Sequence, residues 1–81
     1  MRNSVGMTLL HISAMNGDHQ IMTYLLQKGL WVNPGDDAGN TPLHYAVRGN
    51  YIKCIQILVE KDADETIKNK DGLVAWAMKV E

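Results

Sequence analysis

Eighty-one residues with a formal net charge of −1, eight basic against nine acidic, exclude several classes at once. There is no concentrated basic field of the kind that nucleic acid or an anionic membrane rewards. No apolar run approaches the ~18 residues of a membrane span, and the opening residues do not read as a signal peptide. The length suits one small domain, able to hide roughly 60–65% of its unfolded surface, and a single cysteine, Cys54, rules out an internal disulfide.

In chain order, the first signals are the turn formers Asn3 and Gly6, then Thr8, whose hydroxyl is placed to N-cap a short helix running through Met15. Asn16-Gly17 breaks that helix, because both residues tolerate the left-handed conformation a break needs. A second helix is predicted to start near Asp18 and to end before Gly29, with Ile21, Met22, Leu25 and Leu26 on one apolar stripe. "DDAGN" (36–40) is a second turn cluster. Thr41 caps a helix from about Pro42 to Arg48, and Pro42 sits at its first position, where a missing N–H does no harm. Gly49-Asn50 ends it. An outer helix follows from about Tyr51 to Lys61, with Ile55, Leu58 and Val59 at i, i+3, i+4. "NKDGLVAWAMKVE" (69–81) adds a third turn and one short helix.

This order has a period. "GMTLLHISAMNG" (6–17) stands 33 positions before "GNTPLHYAVRGN" (39–50), aligning Gly6, Thr8, Leu10 and His11 with Gly39, Thr41, Leu43 and His44. Gly72 falls 33 positions later again, and Asn3, Asp36 and Asn69 each precede one of these glycines by three. "IMTYLLQKG" (21–29) lies on "CIQILVEKD" (54–62), matching Leu25 with Leu58 and Lys28 with Lys61. A fixed period between about 20 and 50 residues marks a stack of like units, since each helix carries an apolar stripe that only a neighbouring unit can cover. The expected organisation is one domain over 1–81: a unit at about 3–35, a second at about 36–68, and a partial, capping unit at 69–81.

The residues that suggest chemistry have structural readings. His11 and His44 would sit on adjacent layers, but metal ligation needs further Cys, His or carboxylate partners, and none accompanies them. His19 opens an outer helix, a solvated position. Cys54 fills an apolar slot and lacks the electropositive setting of a reactive thiol. Thr8 and Thr41 are caps rather than nucleophiles. Asp36 and Asp37 are adjacent in a turn, without the enclosure that tunes a catalytic carboxylate or the alternating oxygens of a calcium loop. The run "GDDAG" lacks phosphate-loop spacing. No enzyme, no cofactor and no metal are expected.

A 33-residue unit bearing T-P-L-H-x-A resembles the ankyrin repeat. "TPLHYA" (41–46) matches the motif throughout; "TLLHIS" (8–13) keeps Thr, Leu and His; "VAWAMK" (74–79) keeps only the shape. "DADETIK" (62–68) is similar to the family's G-A-D-V-N segment, with Asp62 in place of the usual glycine. The resemblance implies an all-α solenoid of stacked helix-turn-helix units with turn tips. It implies that the two motif histidines hydrogen-bond neighbouring turn backbone, and that turn tips and inner helices form a concave surface for a protein or peptide partner. Carried over position by position, that surface takes in Ser4, Val5, Met7, Met15 and Asn16 from the first unit. The second gives Asp37, Ala38, Asn40, Arg48 and Gly49, and the last turn Lys68, Lys70, Asp71 and Leu73. Met7, Met15, Asn16, Asp37, Asn40, Arg48, Lys70 and Leu73 are the expected contact residues. Leu30-Trp31 replaces the family's Ala-Asp; local packing over the outer helices is the favoured expectation, with Trp31 as a loop anchor for a partner as the alternative. Trp76 occupies a leucine slot and is expected in the core.

The function this implies is a non-enzymatic, intracellular interaction module, cytoplasmic or nuclear, that binds a protein or peptide and neither nucleic acid nor membrane. Two alternatives accompany it. A nuclear histone-tail reader is suggested by "RN..G.TLLHI....GD" (2–18) and "D.AG.TPLH.A" (36–46). Such readers place an aromatic after the turn glycine and an acid after the histidine, where this chain has Asn40 and Tyr45. An assembly piece is suggested by the end of the stack: no helix follows to cover Ile55, Leu58 and Val59, so a homodimer or end-on docking is expected.

Overall fold

Thr8 and Thr41 do the same work 33 residues apart. Each hydroxyl accepts the backbone N–H of the histidine three residues on (3.3 and 3.4 Å). Each histidine Nδ1 in turn accepts the threonine's own N–H, at 3.0 Å in both cases. This is a reciprocal capping box in which histidine takes the place usually held by Glu or Gln. It starts helices α1 (Leu9–Asn16) and α3 (Pro42–Arg48). A left-handed residue ends each: Gly17 with φ 69° and, at the equivalent position, Asn50 with φ 58°. The outer helices α2 (His19–Gln27) and α4 (Ile52–Glu60) follow at once. Asp18 caps α2 by accepting the Ile21 N–H at 3.1 Å, whereas Tyr51, its equivalent before α4, makes no side-chain cap.

The computed structural model describes residues 6–79, so Asn3, Ser4 and Val5 of the sequence expectations lie outside the described residues. No strand occurs among those described. α1 packs on α3, and α3 on a 3₁₀ turn at Ala75–Met78, forming an inner row; α2 packs on α4 to form an outer row. Leu10, Ala14, Met22, Leu25, Leu26, Leu43, Ala46, Val47, Cys54 and Leu58 fill the space between, joined by Ala63 and Ala75. Every buried side-chain nitrogen and oxygen among the described residues has a hydrogen-bond partner.

Two core expectations are corrected. Trp76 is 43% exposed, and its indole N–H donates to Glu65 Oε1 at 2.8 Å. The segment winds at three residues per turn, so Ala75 and Met78 share the face that meets the core while Trp76 turns off it. Leu58 is not an uncovered residue: with Cys54, four positions earlier, it is fully buried. Of the expected open stripe only Ile55, half-buried, and Val59, 39% exposed, remain.

Candidate protein-binding surface

The turn tips are copies of one another. Asp36 Oδ1 accepts the N–H groups of Ala38 (3.0 Å) and Asn40 (2.9 Å), and Asn69 Oδ1 accepts those of Asp71 (2.9 Å) and Leu73 (3.0 Å). The Lys70 N–H donates to the Ala38 carbonyl at 3.0 Å and joins the two tips. Gly39 takes φ +80° at this junction, and an added Cβ would lie 3.1 Å from Asn69 Cα and Lys70 N. Glycine therefore serves both the turn and the close approach.

The histidines complete this scaffold. Nδ1 receives a backbone N–H, so it carries the lone pair and the ring proton is on Nε2. His11 Nε2 donates to the Asn40 carbonyl at 2.8 Å, and His44 Nε2 to the Leu73 carbonyl at 2.9 Å. Each is a rung to the following turn, as the resemblance implied. Both rings are spent in these bonds, and no group of three His, Cys, Asp or Glu residues converges on a metal-sized site among the described residues. Cys54 is fully buried; burial, then the charge of Asp18, pushes its thiol up and keeps it protonated. Tyr45 donates its hydroxyl to Asp36 Oδ2, and burial followed by that hydrogen bond raises the phenol's pKa.

Met15, Asn16, Asp37, Arg48, Lys70 and Leu73 are exposed, and Met7 is half-buried. Asn40 departs from the expectation of an open contact residue: it is buried, because Asn69 Nδ2 donates across the stack to its Oδ1 at 2.8 Å. Its own amide points to the Tyr45 hydroxyl at 3.5 Å. Nor does Trp31 fold back. At 69% it is the most exposed large apolar side chain among the described residues, so the favoured expectation of local packing is corrected and the side chain stands free.

What the sequence reading missed is a groove of about 240 Å³ at the C-terminal ends of α1 and α3, lined by Met15, Tyr45, Arg48, Gly49 and Tyr51. Met15, Arg48 and Gly49 were on the expected face; Tyr45 and Tyr51 were not. The Tyr51 ring lies so near the two helix breaks that a Cβ on Gly17 or Gly49 would come within 2.5 and 2.3 Å of ring carbons. A single Gly17 at one break and Gly49-Asn50-Tyr51 at the other is the signal that was available: glycines on both sides of an aromatic leave room for its ring. The surface offers aromatic and thioether contacts beside one cation.

A family model described as ankyrin repeats (three copies) matches residues 1–69. The chain is 40% identical over 62 residues to an ankyrin repeat protein of fowlpox virus, covering 76% of this chain and 14% of that protein. It is 36% identical over 71 residues to the tyrosine-protein kinase Shark of Drosophila melanogaster, covering 88% and 8% respectively. With ankyrin repeat domain-containing protein 37 of Xenopus tropicalis it shares 33% identity over 73 residues, covering 90% of this chain and 45% of that protein. The chain thus spans less than half the length of each of these relatives.

Proposed function

From the premise that the chain belongs to the ankyrin repeat family, a non-catalytic interaction fold, we propose that it binds an intracellular protein or peptide on its concave face and catalyses nothing itself. The observation that carries this reading is the groove at the ends of α1 and α3, whose lining side chains Met15 and Arg48 are exposed while the two motif histidines and the Asp36 carboxylate are committed to the scaffold. A preformed face gives contacts at little ordering cost. The test is selection from a random peptide library against the purified chain, followed by titration of the enriched peptides. Met15→Asp combined with Asp37→Arg should abolish their binding and leave helical circular dichroism intact. Binding that survives the double variant, and is lost in Trp31→Ala or Ile21→Ser, places the contact elsewhere.

A second reading is supported by another exposed apolar cluster, the side of α1 and α2 that faces away from α3 and α4. Leu9 (61% exposed), Ile21 (51%) and Tyr24 (57%) lie there, and end-on stacking of a partner or a second copy would cover them. Analytical ultracentrifugation at tens of micromolar tests it: self-association that Ile21→Glu removes supports the contact, and a monomer at every concentration rejects a homodimer.

A further inference from the structure

The groove has a charge signature. Of its five lining residues, Met15, Tyr45, Gly49 and Tyr51 are uncharged and Arg48 is the one ion. Arg48 is exposed at the last position of α3, and its guanidinium takes part in no hydrogen bond or ion pair among the described residues. Beside it the Tyr51 ring is pinned against the backbone of Gly17 and Gly49, where neither glycine could gain a Cβ without displacing it. Tyr45 is held by its bond to Asp36. Two aromatic walls are therefore fixed before any ligand arrives, and Met15, 45% exposed, supplies an adaptable third.

Size and charge narrow the occupant. About 240 Å³ is below the roughly 300–1,000 Å³ of small-molecule sites, and suits one or two side chains of a passing peptide. A guanidinium fork matches a carboxylate in bidentate fashion. A phosphorylated residue, with close to two negative charges, is recognised by clusters of arginine, and this groove has one.

We propose that the groove recognises an acidic peptide segment, in which an apolar side chain lies on Met15 and Tyr51 while an Asp or Glu one or two positions away places its carboxylate on Arg48. This rests on the concave-face reading and adds the partner's chemistry to it. The same peptide selection tests it. Enriched sequences should carry Asp or Glu within two positions of an apolar residue. Synthesised as fluorescent peptides, they should lose about tenfold or more in Kd on Arg48→Glu, the scale of one charge-assisted hydrogen bond. Changing the peptide's acid to its amide should cost a similar factor, and a peptide with Lys in that place should bind Arg48→Glu better than the wild type. Enriched peptides without an acidic preference, or whose affinity Arg48→Glu leaves unchanged, overturn the inference while Met15→Asp can still uphold the concave face. Peptides carrying a preferred phosphate over a carboxylate also overturn it. If no peptide is enriched, or none responds to either variant, the concave-face reading falls and this inference with it.

Discussion

The first helix pair and the second repeat one another in sequence and differ in what they bury. Leu9 and Pro42 hold equivalent positions, yet Leu9 is 61% exposed and Pro42 is among the fully buried side chains. Ile21 is 51% exposed, and its equivalent Cys54 is fully covered. On the opposite side the order reverses: Met22 and Leu26 are buried at 0% and 9%, while Ile55 is half-buried and Val59 is 39% exposed. The cause is neighbourhood. Pro42 and Cys54 have the first pair against them, Met22 and Leu26 have the second, and the outward positions have no such neighbour among the described residues. Burial in a stack of like units belongs to the interface between units, so a position's role is set by which side carries a neighbour.

The sharpest way to break this comparison is to truncate leucines on both kinds of site. Leu10→Ala and Leu43→Ala, at 0% and 1% exposure, should each cost about 2–5 kcal/mol in urea unfolding. Leu9→Ala, one residue away from Leu10, should stay within about 0.5 kcal/mol. A cost at Leu9 equal to that at Leu10 would mean that the outward side is covered in solution, and would favour end-on contact.

Next in size are the two rungs, where the pairs should behave alike. His11→Ala and His44→Ala each remove a cap partner and a bond to the next turn: the threonine N–H loses its acceptor, while the Asn40 and Leu73 carbonyls keep only the N–H groups of Asp36 and Asn69. Each should lower stability by about 1–3 kcal/mol. The two losses should agree within experimental error by chemical denaturation. A much smaller loss for one would show that its turn is held by other contacts.

A smaller contrast sits at the helix ends. Gly29, with φ +90°, and Asp62, with φ +65°, occupy equivalent left-handed positions. Asp62→Gly should stabilise the chain by up to about 1 kcal/mol, and Gly29→Asp should destabilise it by a comparable amount. Thermal melts of the two variants should shift in opposite directions.

The smallest effect is a pH dependence confined to the second pair. Burial raises the Cys54 pKa in the folded chain. The unfolded thiol, near its ordinary value of about 8.5, releases its proton first. The corresponding stability is complete below about pH 8.5 and is lost as pH rises from there through the folded pKa. Cys54→Val should flatten that decline in denaturation curves taken between neutral pH and about pH 10. A decline of equal slope in the variant would assign it to another group, with Tyr45 the next to examine because burial raises it as well.

The sequence by itself determined whatever depends on a few adjacent residues. The threonine caps, the proline at the first turn of α3, the breaks at Asn16-Gly17 and Gly49-Asn50, and the 33-residue period all stand where the sequence places them. Each follows from backbone sterics or a hydrogen bond spanning three or four positions. That the histidines would reach the next turn was legible only through the ankyrin resemblance, since the two ends of that bond are 29 residues apart. Tertiary structure alone decided which polar and aromatic side chains stay free. Asn40 is drawn inward by an amide from the next turn. A 3₁₀ winding turns Trp76 away from the core, and Trp31 finds nothing to fold against. The groove exists because the Tyr51 ring lodges against two glycines from different units. Local propensity fixes where a helix begins and ends. Which of its side chains remain exposed is settled by what the rest of the chain brings against it.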